Sequence, residues 1–160
     1  MREILFRGKC IDNSEWISGQ YWSMTRGDEV IHFIRTSDFT KIEINLNVDP
    51  DTVGQYTGLI DKNGAKIFEG DIIRYTFDDP DDPNATENGL KVRVGRVFWS
   101  EWRASFAVAE GPDGSDMINQ DIARYVRGKQ IYGYIRGANT VEVIGNIYDN
   151  PELLGGGGDD

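Results

Sequence analysis

Glu69 and Asp71 stand two residues apart in Ile67-Phe68-Glu69-Gly70-Asp71-Ile72, the spacing at which two carboxylates on one strand face could divide acid and base roles. The competing use is local. Short acidic side chains beside a glycine accept hydrogen bonds from turn N–H groups, and that turn-anchoring role is the preferred reading. His32 is the sole histidine and Cys10 the sole cysteine. A Cys–His nucleophile would need their strands to be neighbours, and no local signature asks for it. Both are read as structural, Cys10 as a small inert side chain even though Lys9 beside it favours the thiolate slightly. Four Cys/His ligands for zinc do not exist in this chain. The acidic run from Asp78 to Asn88 fails the calcium-loop spacing, because every register beginning on an aspartate puts Pro, Ala or Thr at a needed ligand and lacks the central glycine. It reads as a solvated loop. A phosphate loop, a dinucleotide fingerprint and a nucleophile elbow are all missing. No metal and no cofactor are expected.

A second constellation concerns binding. Phe98, Trp99 and Trp102 lie close together, and Arg93, Arg96 and Arg103 flank them. Trp99 and Trp102 with the three arginines would supply stacking and phosphate contacts to a nucleotide. Core or interface packing of the aromatic residues is the simpler use. The formal net charge of −10 makes the average surface repel phosphate backbones, so general DNA or RNA binding is disfavoured. A single cysteine excludes an intramolecular disulfide, and no leader or long apolar run is present, which points to a reducing cytoplasm and no membrane. The expected partner is a protein, with self-association into a homo-oligomer as a further expectation.

These groups need elements to hold them. The densest backbone instructions lie between Val53 and Ile73, where Asn63-Gly64 is flanked by Leu59-Ile60 and Ile67-Phe68. This predicts a hairpin whose two central turn residues both take positive φ. Gly58 and Gly70 bracket it as corners closed to residues with a Cβ. Upstream, Arg2–Ile11 and Trp16–Trp22 form a hairpin over Asp12-Asn13-Ser14, and Arg26-Gly27-Asp28-Glu29 turns into Val30–Arg35. Trp16, Gln20 and Trp22 share one parity and Ile17, Gly19 and Tyr21 the other, so both faces of that strand read as covered. Lys41–Val48 alternates cleanly and is ended by Asp49-Pro50-Asp51. Downstream come strands over Ile72–Phe77, Lys91–Trp99, Ala104–Ala109 and Val141–Tyr148. A two-turn helix follows Asn119 and stops at Gly128, and a closing turn has Asn150 as cap before Pro151. With 19 glycines and 11% aromatics, the chain is predicted to be mainly β, a β-rich α+β protein of short antiparallel strands with one short helix. The C-terminal half is expected to form an SH3-like barrel. Residues 1–154 are read as one domain, in which residues 1–60 form an N-terminal β portion and residues 61–150 the barrel. Residues 155–160 are expected to be a disordered tail.

Three stretches resemble the YopX family of small phage and prophage proteins. They are Arg2–Arg7, then Val48–Leu59 continuing through Asp61–Gly64 to Ile67–Ile72, and Val143–Leu154. Gln55, Tyr56, Gly58, Asn63, Gly64, Glu69, Gly70 and Asp71 fall within the middle stretch. The resemblance spans nearly the whole chain, leaving out Asp78–Asn88 and the Gly/Asp tail. It implies a phage-encoded β-rich protein and carries over no catalytic residue. The expected function is that of a non-enzymatic phage accessory protein that binds a host or phage macromolecule. The alternative is a binder of a small nucleotide signal used in host defence.

Overall fold

The computed structural model describes residues 3–37, 43–78, 90–101, 104–109 and 141–155. Their strands are β1 (Phe6–Cys10), β2 (Trp16–Arg26), β3 (Glu29–Ser37), β4 (Glu43–Ile60), β5 (Lys66–Phe68), β6 (Asp71–Asp78), β7 (Leu90–Ser100), β8 (Ser105–Ala109) and β9 (Val141–Asn146). A 3-10 turn, Pro151–Leu154, closes the described chain. The protein is mainly β, in antiparallel sheets. It divides into two compact units, Met1–Gly58 and Leu59–Asp160.

In the first unit two strands each serve two neighbours. β2 pairs through Trp16–Gly19 with β1 and through Gln20–Arg26 with β3. β4 pairs through Glu43–Asn47 with β3 and beyond Val48 with β1. The pairings therefore close a cycle β1–β2–β3–β4–β1. Gly27 at φ 66° makes the tight tip between β2 and β3, where only a residue without a Cβ is unstrained. Successive strand residues point to opposite sides. One side of the ring holds the core, with Cys10, Ile34 and Val48 buried. Gly8 belongs there because a Cβ at that position would stand 3.2 Å from Ile34 and 3.3 Å from Val48 and Val53.

The expectation that Asp49-Pro50-Asp51 ends the preceding strand is not met, because β4 runs through it to Ile60. The ladder with β1 shifts register between Arg7 and Lys9, which face Gly54 and Asp49. Proline, with no N–H to donate, is tolerated at such a bulge. Thr52 repairs the break. Its hydroxyl accepts the Lys9 N–H at 2.8 Å and donates to the Asp49 carbonyl at 2.7 Å, while the Asp51 N–H donates to Asp49 Oδ1 at 3.1 Å.

In the second unit β5 returns along the end of β4, and β8-β7-β6-β9 form a four-stranded sheet. Its core face gathers Ile73, Tyr75, Val97, Phe106, Val108 and Val141 with Ile67 of the hairpin. Gly95 lies within this face. A Cβ there would come within 2.5 Å of Val108 Cγ1 and 2.8 Å of the Ala109 carbonyl. Among the described residues no pairing joins the outer strands β8 and β9, so the closure of an SH3-like barrel is not seen there; the closed cycle of strands lies in the first unit. The helix expected over Asn119–Gly128, the acidic run after Asp78 and the tail beyond Gly155 fall outside the described residues.

At the C-terminal end Asn150 takes the expected cap position before Pro151, and another asparagine holds the turn that precedes it. Asn150 has no side-chain cap bond. Asn146 Oδ1 instead accepts the N–H groups of Tyr148 at 3.0 Å and Asp149 at 2.9 Å. Asn150 is used for packing, since a Cβ on Gly145 would meet its Oδ1 at 2.6 Å.

Two substitutions test these contacts by urea unfolding. Gly95→Ala forces the β7–β8 pair apart and is expected to lower stability by about 1–3 kcal/mol. Thr52→Val keeps the volume but leaves the Lys9 N–H without its acceptor, and is expected to lower stability by about 1–3 kcal/mol. An unchanged midpoint in either variant would show that the corresponding contact does not constrain the fold.

Candidate functional site

A dense set of polar contacts surrounds Asp61, a buried carboxylate at the end of the β4–β5 hairpin. Its Oδ1 accepts the N–H groups of Asn63 at 2.8 Å and Ala65 at 2.9 Å, and its Oδ2 accepts that of Val143 on β9 at 3.0 Å. The backbone adds Asp61 N–H to Ala65 O at 2.8 Å, Gly64 N–H to Asp61 O at 3.1 Å and Lys62 N–H to Val141 O at 2.9 Å. Of the turn pair only Gly64 has positive φ, 85°; Asn63 does not, contrary to the sequence expectation. The reason is that Asp61 clamps the Asn63 and Ala65 amides, which favours a turn of the ordinary hand followed by a left-handed glycine. Burial pushes the Asp61 carboxyl upward, but the three backbone donors and the Lys62 charge together hold it below its usual range. Nearby, Lys62 Nζ lies 2.7 Å from Glu142 and Arg74 lies 3.9 Å from it. The Lys62 hydrogen bond is the main reason that Glu142 also sits below its usual range.

Glu69 and Asp71 do not share a strand face. Glu69 is in the turn before Gly70, which takes φ 83°, and Asp71 begins β6. Asp71 Oδ2 accepts the Phe68 N–H at 2.7 Å, and Glu69 Oε1 accepts the Trp99 N–H at 3.4 Å. The corner is further tied by Gly70 N–H to Val97 O and Ile147 N–H to Gly70 O, each at 2.9 Å. The remaining residues of the middle motif are structural in the same sense. Gln55 faces Phe6 across β1–β4, the Tyr56 N–H donates to Leu5 O at 2.8 Å, and Gly58 takes φ 85°.

The residues proposed for nucleotide contacts fall on both sides of β7. Arg93 faces Tyr75 and Trp99 faces Phe106, both on the core side, and Trp99 meets Phe106 edge-on at 5.1 Å. Arg96 faces Ile72 on the opposite side, and its buried Nε has no hydrogen-bond partner among the described residues. Trp102 and Arg103 lie outside the described residues. His32 Nδ1 is 2.7 Å from the Tyr21 hydroxyl, and its ring stacks on Tyr21; Cys10 is buried beside Val48. No grouping of three or more His, Cys, Asp or Glu residues suited to a metal ion occurs among the described residues. No helix of the described residues is long and apolar enough to cross a membrane.

A different cluster is assembled on the outer side of the first unit. Trp22 faces Phe33 across β2–β3, and their rings stack at 4.6 Å and 17°. Asn45 Oδ1 accepts from Trp22 Nε1 at 3.0 Å and Arg35 Nε at 3.4 Å. Farther along the same side of β2, the Arg7 guanidinium lies 4.9 Å and the Lys9 ammonium 5.9 Å from the Trp16 ring centre. A groove of about 370 Å³ opens beside Arg35 and Gln20, bounded on its other side by Glu3–Leu5. The parity of Trp16, Gln20 and Trp22 is legible in the sequence. What recruits Arg35 and Phe33 to them is the register, which the Arg26–Glu29 turn fixes by pairing Trp22 with Phe33 and Gln20 with Arg35.

Fold and site together define a two-unit antiparallel β protein whose positioned carboxylates hold backbone and whose outer sheet face carries aromatic rings under cations. The family model for YopX protein matches residues 5–155, and the chain belongs to that family. No curated protein matches it. Among solved structures it is similar to the crystal structure of protein EF1440 from Enterococcus faecalis, at 21% identity over 96% of this chain and 99% of that chain, with a TM-score of 0.47.

Asp61 gives a pH signature. Its folded pKa is lowered, so the charged carboxylate stabilises the fold fully above the pKa it has in the unfolded chain, near 3.8, and that contribution is lost as pH falls through the folded value. Thermal unfolding followed from pH 7 to pH 2 is expected to show a loss below about pH 4 that is reduced in Asp61→Asn. The same variant should be less stable at pH 7, by about 2 kcal/mol, because its amide nitrogen replaces an acceptor of backbone N–H. Parallel acid limbs in the two proteins would assign the acid sensitivity to other groups.

Proposed function

We propose that the protein is a non-catalytic phage or prophage accessory protein that works in the bacterial cytoplasm by binding a macromolecule, foremost a protein, through the outer face of its first unit. The observation that supports this most is the gathering of Trp16, Trp22 and Phe33 with Arg7, Lys9 and Arg35 on one half-exposed sheet face. Aromatic and arginine side chains are the residue types that dominate binding energy at protein interfaces. The use of Asp61, Glu69 and Asp71 as acceptors for backbone N–H groups supports the reading from the other direction, because it gives the most positioned carboxylates structural work. A homo-oligomer built through the same face is one form of this proposal.

The alternative, a binder of a small nucleotide signal, draws support from Arg96, whose buried Nε has no acceptor among the described residues. Trp99, Arg93, Trp102 and Arg103 complete that hypothetical site.

Native mass spectrometry of the full chain, gently purified from bacterial lysate, separates the readings. A retained protein or a homo-oligomer that is lost in Trp22→Ala and in Arg35→Gln is the expected result. A monomer with no retained species, alike in all three proteins, would remove the proposal. A retained nucleotide would put the alternative first, and nucleotide turnover abolished by one point substitution would make the protein an enzyme.

A further inference from the structure

We infer that a second copy of this chain pairs its β2 with β2 along the open edge of Gln20–Arg26, antiparallel and centred on Ser23, so that two β2–β3 ribbons become one four-stranded sheet. The contact is a sheet edge rather than the outer face, and it does not rest on the proposed function. β2 lies between β1 and β3 in the sheet. β1 pairs with Trp16–Gly19 only, and β3 with Gln20–Arg26. Among the described residues, the seven from Gln20 to Arg26 therefore have a strand on the β3 side alone. β3 in turn meets β4 only from Phe33 onward, so Ser23–His32 is a ribbon of two strands. Its residues from Ser23 to Val30 are all exposed, Met24 by 42% and Val30 by 50%. Two strands without further support are marginal in water, and a third is what this ribbon lacks. The edge is also unguarded. Sheet edges are ordinarily protected by lysine, proline or a bulge. Gln20-Tyr21-Trp22-Ser23-Met24-Thr25 has no charge and no proline, and its ladder with β3 runs without a shift in register.

The bounds of the edge select its occupant. β1 holds the positions up to Gly19, and the chain turns away at Gly27. A strand of another chain running on past Gln20 would collide with β1. The tip of a second β2–β3 ribbon does not, because it turns away at its own Gly27. Pairing the seven residues with the same seven along their full length fixes the centre, so that Ser23 faces Ser23, Trp22 faces Met24 and Tyr21 faces Thr25. Opposite residues of an antiparallel pair share a side of the sheet, and each of these pairs has matching parity. One side then gathers Trp22 and Met24 of both copies, where Phe33 and Ile31 already face them from β3. Sulfur against an aromatic ring, and an aromatic ring against a β-branched chain, are favourable cross-strand pairs. Charge agrees with this placement. Two copies of net charge −10 repel over most of their surfaces, so they meet most readily where acids are few. Gln20–Arg26 holds no carboxylate, and Arg26 faces Glu29 within its own ribbon. Main-chain hydrogen bonds supply the affinity of such a two-fold strand pair, and the side-chain pairs its register.

Sedimentation velocity of the full chain over a concentration series tests the pairing. A monomer–dimer equilibrium is expected. Ser23→Lys sets two ammonium groups against each other across the two-fold axis and should weaken the dimer roughly tenfold, as should Ser23→Glu with two carboxylates. An equimolar mixture of the two variants should regain the dimer, because opposite charges then face each other. Ser23 is exposed, and unchanged circular dichroism would verify the fold of each variant. Mild oxidation reads the register, since Cys10 is buried and added thiols report alone. Ser23→Cys should cross-link to its own copy, being directly opposite and within disulfide reach, whereas Thr25→Cys, roughly 14 Å from its copy, should not. Arg35→Gln lies outside the edge and should leave the dimer intact. A chain that stays monomeric throughout, a dimer indifferent to both charged Ser23 variants, or a mixture no more dimeric than either variant alone overturns the inference. A dimer lost in Arg35→Gln yet kept in the Ser23 variants is built through the outer face and overturns it too. Cross-linking by Thr25→Cys without cross-linking by Ser23→Cys overturns the register and with it the inference as stated.

Discussion

The second unit depends on one buried carboxylate. Asp61 satisfies two amides of its own turn and one amide of a strand 82 residues further along the chain. A charged acceptor shared among three N–H donors is stronger than the neutral bonds of the surrounding ladders, and its loss would strand donors where water reaches them poorly. The hairpin is thereby more than a local turn. It is the bracket that sets β9 against β6, and through β6 the position of Ile73 and Tyr75 in the core.

Asn63-Gly64 announces the hairpin in the sequence, and Gly58 and Gly70 announce its corners, because in each case one backbone conformation excludes nearly every other residue. The handedness of the turn was not readable in the same way. It is decided by which amides Asp61 clamps, and a carboxylate's partners are not written in its neighbours. The same limit explains β4. Asp49-Pro50-Asp51 has the composition of a strand end, but a threonine hydroxyl reaching to Lys9 carries the ladder across the interruption. Mainly-β character was legible throughout, since it follows from glycine placement, β-branched runs and period-two alternation together.

The aromatic and cationic cluster of the first unit was only partly legible. Trp16 and Trp22 have matching parity, but their cations come from β1 and β3, and pairing registers are needed to bring Arg7, Lys9 and Arg35 beside them. Proximity in sequence misleads in the opposite way at β7. Arg93 and Arg96 look like companions, and strand pleat sends them to opposite sides. A two-residue periodicity converts an odd separation along the chain into a separation by the full thickness of the sheet. Within the first unit β1 is paired on both sides, with β2 and with β4, whereas β2 and β4 each meet their two neighbours through successive segments of one strand.

The order of pairing also fixes an order of assembly during synthesis. Every strand of the closed cycle makes its ring pairings within the first 58 residues, so the first unit has all of its partners as soon as that length has left the ribosome. The second unit does not, because β6 begins at Asp71 and its neighbour β9 starts only at Val141. Until β9 emerges, one side of β6 and the third donor to Asp61 are missing. The nascent chain thus carries a fully paired first unit ahead of an unfinished second one, and the interval between them is set by the distance from β6 to β9.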